Sequence, residues 1–508
     1  MACTTLLIGK SASYDGSTIV ARNEDSCDGE FTSKEFAVVL PEQQPRVYTS
    51  QISHVQIELP AEPLRYTAVP DAPQTQGIWA AAGFNEANVG MSATETLTSN
   101  ERVLGADPLV AYAPAHGEPG TPGYQPERAG GIGEEDMVTL VLPYVRTARE
   151  GVERLGALLA RYGTYEMNGI AFSDADEIWW LETVGGHHWI ARRVPDDCYV
   201  TMPNQLGIDR FDLADAEGPH REHLASPDLR AWMAENHLDL TAGTAPGTVS
   251  DVFNPRCAFG SATPTDHVYN TPRAWYMQRC FNPSERWDGP GAAFGPESDD
   301  IPWCRAPERK LTIEDVKFAL SSHYEGTPFD PYGSKGDAAS RARYRCIGIN
   351  RTSQLAVLQL RPAPVPEAAR AVQWMAFGSN PTNALVPLYA QVGRAPAYLS
   401  GTTARVDTGN FYWASRLVGA LADACHPAAA QDVERYQMEL GARAQAHLRE
   451  VDAQAAALGD DAPAVEALLA EANERMAEQA RRQTDELLSR VLFLASERMR
   501  NRFGMNDA

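Results

Sequence analysis

The chain opens with a strand, a polar turn and a second strand, and this hairpin limits the possible folds more than any other feature. Residues 4–8 and 18–22 are rich in β-branched and aliphatic side chains, which favour strands. The polar segment between them contains Asp15-Gly16, a dipeptide typical of tight turns. We therefore predict an antiparallel strand pair at the start of the chain.

Further short apolar runs, separated by turn residues, predict antiparallel sheets in other parts of the chain. The runs at 169–201 are separated by Asp174-Ala-Asp176 and Gly185-Gly186, a pattern that favours a meander. The additional predicted strands are residues 36–40, 78–83, 89–94, 169–173, 177–182, 188–194 and 355–361.

Helices are predicted in three regions. Three acidic residues at 134–136 favour a helix start, and we predict one helix from there to about Tyr162. Thr312 and Asp315 have capping-box spacing, which predicts a second helix to about Ser322. Residues 428–500 are dominated by Ala, Glu, Gln, Arg and Leu and are interrupted at 459–463, which predicts at least two more helices. The glycine- and proline-rich segment 105–133 is predicted to be a surface loop.

The chain of 508 residues is long enough for one large domain with an added segment, and we predict a domain over 3–410 and a helical segment over 411–508. The helical segment is predicted to pack or be solvated, because its apolar heptads are not sustained enough for a coiled coil.

The composition excludes several classes of protein. The formal net charge of −23 argues against a nucleic-acid partner. Eight cysteines without CxxC pairs indicate a reducing compartment rather than a disulfide scaffold or a zinc ribbon. The sequence shows no secretory signal and no run of about 18 apolar residues. We therefore predict a cytoplasmic protein without a membrane partner; the sequence leaves open whether it forms a homo-oligomer.

Two partial motifs, one for phosphate binding and one for metal binding, are incomplete. Gly9-Lys10-Ser11 resembles the end of a phosphate-binding loop, but the first glycine of that motif would fall at Thr4. His220 and His223 could share a helical face as metal ligands, but no third ligand is evident in the sequence. The sequence therefore predicts neither a cofactor nor a metal site.

Cys3 stands immediately before the first predicted strand, among charged residues. An eight-residue loop would give pairs whose numbers sum to 27, which puts Cys3 opposite Glu24 and beside Arg22 and Asp25. A tighter turn would give a sum of 31 and put Cys3 opposite Asp28. In either register a thiol, a guanidinium and a carboxylate meet at one strand end. The alternatives are a cysteine that only packs and a salt bridge that only holds the strand end.

This cluster has a chemical use if Cys3 becomes the N-terminal residue. A free α-amine has a pKa of about 7.7–8.0, so it can accept the thiol proton without a catalytic histidine. Arg22 would stabilise the thiolate, and Asp25 would orient the amine or hold Arg22. Ala2 must then be removed after Met1, by self-cleavage or by an aminopeptidase.

The segments 3–17 and 21–26 resemble the opening of the bacterial C69 dipeptidases. These are N-terminal-nucleophile (Ntn) hydrolases related to the secernins, to choloylglycine hydrolase and to penicillin V acylase. The resemblance covers about residues 3–410, and agreement extends to residues 83–95, 269–275, 323–330, 351–354 and 359–361.

The resemblance implies an α+β fold, a four-layer αββα sandwich with two antiparallel sheets. It also implies that Cys3 is the nucleophile, that its amine is the base, and that Arg22 and Asp25 position the thiol. Asn204 matches the asparagine of the oxyanion hole, although it could simply be a turn residue after Pro203. Arg273 is a looser match to a second active-site arginine.

We therefore expect a metal-independent dipeptidase that hydrolyses unblocked dipeptides through a thioester. Its substrate-binding residues are not identified by the sequence. One alternative is an acylase of the same fold that acts on a bile-salt or penicillin-type amide. Another is a secernin-like protein without catalysis, and a metal-dependent peptidase is a third.

Overall fold

The structure, a computed structural model, describes residues 3–26 and 32–499. The strands within those residues are β1 (Thr4–Ile8), β2 (Thr18–Asp25), β3 (Ala37–Val39), β4 (Val47–Thr49), β5 (Gln56–Glu58), β6 (Tyr66–Ala68), β7 (Ala82–Phe84), β8 (Gly90–Thr96), β9 (Asn168–Ser173), β10 (Ile178–Val184), β11 (His188–Arg193), β12 (Tyr199–Met202), β13 (Phe211–Asp212), β14 (His223–Ala225), β15 (Val252–Phe253), β16 (Cys304–Arg305), β17 (Thr352–Leu360), β18 (Ala371–Phe377) and β19 (Val386–Tyr389).

The helices are α1 (Glu101–Ala106), α2 (Glu134–Val141), α3 (Ala148–Tyr162), α4 (Leu213–Glu217), α5 (Leu229–Glu235), α6 (Pro255–Phe259), α7 (Asp266–Tyr269), α8 (Thr271–Phe281), α9 (Ile313–Ser321), α10 (Glu367–Arg370), α11 (Phe411–Ala424), α12 (His426–Leu458) and α13 (Ala462–Glu497). None of the helices in the described ranges combines the length and the apolar character needed to cross a membrane.

Two large antiparallel sheets form the centre of the molecule. One has seven strands in the order β16-β12-β1-β2-β17-β18-β19, and the other has six in the order β14-β11-β10-β9-β8-β7. The sheets face each other, since β2 contacts β8 and β9 and β17 contacts β7. The first strand of the chain therefore lies inside the seven-stranded sheet, between β12 and β2.

Helices cover the outer face of each sheet. α3 lies on β9, β10 and β11, and Gly151 permits the close approach, because a Cβ there would lie 2.4 Å from the Phe172 ring. On the other side α9 contacts β1 and β2, and α11 to α13 contact β18 and β19. The four layers confirm the predicted αββα sandwich and the α+β class.

The first hairpin has the register that the eight-residue loop predicts. Thr4 pairs with Asn23 and Thr5 with Arg22, so the paired numbers sum to 27. The alternative sum of 31 is wrong, and Asp28, on which it relied, lies outside the described residues. The turn is closed by Asp15, whose carboxylate accepts the Ser17 amide at 3.1 Å, which fixes the longer loop.

Two of the predicted elements differ from the structure. The helix predicted from Glu134 to Tyr162 is broken after Val141, because Pro143 has no amide hydrogen to continue it. α3 then begins afresh with Thr147 as its N-cap. The strand predicted over 78–83 is wrong for residues 78–81, because Trp79 and Ala81 have φ values of 50° and 57°, which a strand does not allow. Only Ala82–Phe84 form β7.

The C-terminal helices pack as part of the main core. α11 begins at Phe411, where the sequence changes character, and the long helices α12 and α13 are separated by a turn at Gly459, which has a φ of 60°. Leu440 and Leu469 are fully buried in the same apolar cluster as the seven-stranded sheet. These helices are therefore a packing element, as predicted.

Candidate active site

The Cys3 side chain, immediately before β1, is completely buried. Its Sγ accepts a hydrogen bond from Arg22 Nη1 at 3.2 Å. Arg22 pairs with Thr5, and side chains two residues apart along a strand lie on one face of the sheet. The hairpin register therefore brings together the thiol and the guanidinium that the sequence analysis singled out.

The Arg22 guanidinium joins the two sheets. It donates to the carbonyl oxygens of Ala93 at 2.8 Å and Thr94 at 2.7 Å, and to Ser92 Oγ at 3.1 Å, all on β8. It also donates to the Ala81 carbonyl oxygen at 3.3 Å. A guanidinium has five donors in a fixed plane, so these contacts leave it one orientation beside the thiol.

The carboxylates that pair with Arg22 are Glu134 at 3.3 Å and Glu24 at 3.7 Å. Burial alone would lower the pKa of Arg22, but the charges of Cys3, Glu134 and Glu24 raise it, and the guanidinium stays ionised. For Cys3 the balance is opposite: burial raises the pKa of the thiol far above its ordinary value, and Arg22 only partly offsets this. The thiol is therefore protonated in this form of the chain, and it needs a base to become a nucleophile.

Asp25 lies at the end of β2 but does not hold Arg22 in the described contacts. One of its carboxylate oxygens accepts from Thr352 Oγ1 at 2.6 Å, and the other is paired with the Arg345 guanidinium. The prediction that Asp25 holds Arg22 is therefore wrong, because Arg345, from a distant segment, takes that carboxylate. Whether Asp25 orients the Cys3 amine stays a prediction.

Arg273 links the start of β1 to Asn204. The buried guanidinium on α8 donates to the carbonyl oxygen of Cys3, to Thr4 Oγ1 at 2.7 Å and to Asn204 Oδ1 at 2.8 Å. Asn204 Nδ2 in turn donates to the Thr96 carbonyl oxygen at 2.9 Å. Because Arg273 has only donors, it must face the amide oxygen of Asn204, and the orientation of that amide is fixed. Burial and the nearby Arg345 lower the pKa of Arg273 to about 10.

Two buried carboxyl groups lie close to Cys3 and were missed by the sequence analysis. Burial raises the pKa of Glu95 to about 8 and that of Glu134 to about 7, although Arg22 opposes both shifts. In each carboxyl group one oxygen is buried without a hydrogen-bond partner in the described part of the chain. The acidic run at 134–136 was the only signal for Glu134, and a helix start already explained it.

An open cleft of about 680 Å³ lies beside Asn204. Its charged lining residues are Arg351, Glu101 and Asp266, of which Glu101 is exposed and Asp266 is buried. Thr96, Tyr269 and Asn270 line the same cleft. Asn204 belongs both to this lining and to the Arg273 network, so one hydrogen-bonded residue, Arg273, connects the wall of the cleft to the Cys3 carbonyl oxygen.

Comparisons with known proteins identify the family of the chain. The model of Peptidase family C69 matches residues 2–439. The chain is 57% identical to a protein named dipeptidase from Bifidobacterium longum (strain NCC 2705), with both chains fully covered. It is 52% identical to the probable dipeptidase A of Streptococcus pyogenes serotype M3 (strain SSI-1), again with full coverage of both. It is 45% identical to dipeptidase A of Lactobacillus helveticus, over 83% of this chain and 82% of that relative.

Proposed function

Because this chain belongs to peptidase family C69 and is a dipeptidase, we propose that it hydrolyses unblocked dipeptides with Cys3 as the nucleophile. The observation that carries the proposal is the 3.2 Å contact between Cys3 Sγ and Arg22 Nη1 in a buried site. A cation held in one orientation beside a thiol favours the thiolate, which is the reactive form.

The reaction begins after Met1 and Ala2 have been removed. The α-amine of Cys3 takes the proton from Sγ, and the thiolate attacks the carbonyl carbon of the substrate. The Asn204 amide, oriented by Arg273, donates to the oxyanion that forms. The departing amine takes the proton from the Cys3 ammonium, which leaves a thioester. Water then hydrolyses the thioester, and the thiol and the free amine are restored.

The cleft beside Asn204 supports a substrate with a charge at each end. Arg351 can pair with the C-terminal carboxylate of a dipeptide, and Glu101 can pair with its ammonium group. A volume of about 680 Å³ leaves room for side chains of different sizes, which supports broad specificity. No step of this mechanism needs a metal ion or a cofactor.

The intact mass and the substrate range of the purified protein test this proposal together. We expect a mass without Met1 and Ala2, and hydrolysis of Ala-Ala that survives a chelator. Cys3→Ala should fold and abolish this hydrolysis. Turnover of N-acyl amino acids alone would indicate the acylase instead. A retained Ala2 together with no turnover would indicate the secernin-like protein.

A further inference from the structure

The proposed function requires that Ala2 be removed first, and it assigns no base to that cleavage. While Ala2 is attached, the Cys3 nitrogen is an amide and cannot take the thiol proton. Resting on the proposed function, we propose that Glu134 is the base that activates Cys3 for self-cleavage of the Ala2–Cys3 bond. Glu134 would thus be a catalytic residue for maturation, and the α-amine would replace it in later turnovers.

The hydrogen bonds of Arg22 place Glu134 beside the thiol. The same atom, Arg22 Nη1, lies 3.2 Å from Cys3 Sγ and 3.3 Å from Glu134 Oε1. The second oxygen, Glu134 Oε2, is buried and has no hydrogen-bond partner in the ranges that the structure describes. A carboxylate with one oxygen held and the other open can take a proton directly or through one water molecule.

The backbone around Glu134 is held by hydrogen bonds, which favour the orientation in which its side chain meets Arg22 beside the thiol. Glu134 is the first residue of α2, and its amide donates to Glu166 Oε1 at 2.7 Å. The preceding Gly133 amide donates to Asp136 Oδ2 at 2.8 Å. A pKa raised by burial to about 7 also suits a group that must both accept and return a proton near neutral pH.

Other acidic groups near Cys3 fit this role less well. Both oxygens of Glu24 are engaged, by Lys34 Nζ at 2.5 Å and by Gln354 Nε2 at 3.2 Å. Glu95 has one open oxygen, but its other oxygen accepts from Thr5 at 2.8 Å, and it shares no hydrogen-bond donor with the thiol. Glu95 is therefore the matched comparison for Glu134.

The maturation step balances without an added reagent other than water. Glu134 takes the proton from Cys3 Sγ, and the thiolate attacks the carbonyl carbon of Ala2. The bond from that carbon to the Cys3 nitrogen breaks as the bond to sulfur forms, and the nitrogen takes the proton from Glu134. Water then hydrolyses the thioester to a free Ala2 carboxylate, with Met1 attached where it has not been removed earlier, and a free Cys3 thiol.

The test follows the intact mass of chains made in a reconstituted translation system at several pH values. The wild-type chain should lose Ala2 at a rate that rises with pH up to about 7, where the pKa of Glu134 lies. Glu134→Gln should lose Ala2 at least about 100-fold more slowly and without this pH dependence. Glu95→Gln should still be processed, and Cys3→Ala should keep Ala2.

A second pair of chains separates maturation from folding. Deletion of Ala2 puts Cys3 directly after Met1, so that removal of the initiator methionine exposes the amine. With Ala2 present, Glu134→Gln should not hydrolyse Ala-Ala, because Cys3 stays blocked. With Ala2 deleted, the same substitution should allow Ala-Ala hydrolysis. Absence of that recovery would overturn the assignment of Glu134 as the base, and so would normal processing of Glu134→Gln. Blocked processing of Glu95→Gln alone, or loss of Ala2 from Cys3→Ala, would overturn it as well. A wild-type chain that keeps Ala2 but hydrolyses dipeptides would overturn the proposed mechanism itself.

Discussion

Replacement of Glu182 by glutamine tests how the segment after Asn204 is held. Glu182 Oε1 accepts three hydrogen bonds: from the Gly207 amide at 2.7 Å, from the Ile208 amide at 3.2 Å and from Trp180 Nε1 at 3.0 Å. Oε2 is buried without a partner in the described residues. A glutamine can put its amide oxygen in the place of Oε1 and its NH2 group in the place of Oε2. All three hydrogen bonds therefore survive the substitution.

The substitution changes the pH dependence of stability, and the structure gives its sign. Burial raises the pKa of Glu182 from 4.5 to about 7, although the two amides and Trp180 oppose the shift. Between these pH values the unfolded chain has released its proton and the folded chain has kept it. Glu182 therefore lowers the free energy of unfolding of the wild type by about 1.4 kcal/mol for each pH unit in this range. Over the whole range the loss is ~3 kcal/mol. Glutamine carries no such proton.

Urea unfolding of the wild type and Glu182→Gln, followed by tryptophan fluorescence at pH 4.5 and pH 8, measures this effect. The variant should gain ~3 kcal/mol relative to the wild type between the two pH values. Glu58→Gln is the matched control, because it removes the same charge from an exposed position. An equal difference at both pH values, or a relative loss at pH 8, would refute the account of Glu182. Ala-Ala hydrolysis by the folded variant should persist.

Two substitutions at the site give further tests. Arg22→Lys leaves a cation near Cys3 but cannot reach all the carbonyl oxygens of β8, so buried acceptors are left unpaired at about 1–3 kcal/mol each. Both the melting temperature and Ala-Ala hydrolysis should fall, and wild-type values of both would contradict the role of Arg22. Glu101→Gln should raise KM for Ala-Ala with little change in kcat, because it removes the proposed charge contact to the ammonium group. An unchanged KM in steady-state assays would show that Glu101 does not bind the ammonium group of the substrate.

The sequence predicts the contact between Cys3 and Arg22 because the hairpin that makes it is local. An eight-residue loop and the alternation of side chains along strands are enough to bring the two residues together. Arg345 and Glu134 are different, since each comes from a segment more than a hundred residues away along the chain. Glu134 is also at a helix start, where an acidic residue is favoured in any protein. Its presence in the sequence therefore gave no reason to expect it in the site.

The arrangement around Cys3 also implies that its activation must follow folding. Three of the acceptors that orient Arg22, the carbonyl oxygens of Ala93 and Thr94 and Ser92 Oγ, lie on β8, which belongs to the second sheet. Glu134 reaches Arg22 only when α2 lies on that sheet. A chain with only the first hairpin formed would bring Arg22 near the thiol, but the guanidinium would lack its acceptors on β8 and Glu134 would be absent. Under the proposed mechanism, the layers that bury Cys3 are the same layers that supply Arg22 and Glu134, so the proposed maturation would report that both sheets have come together.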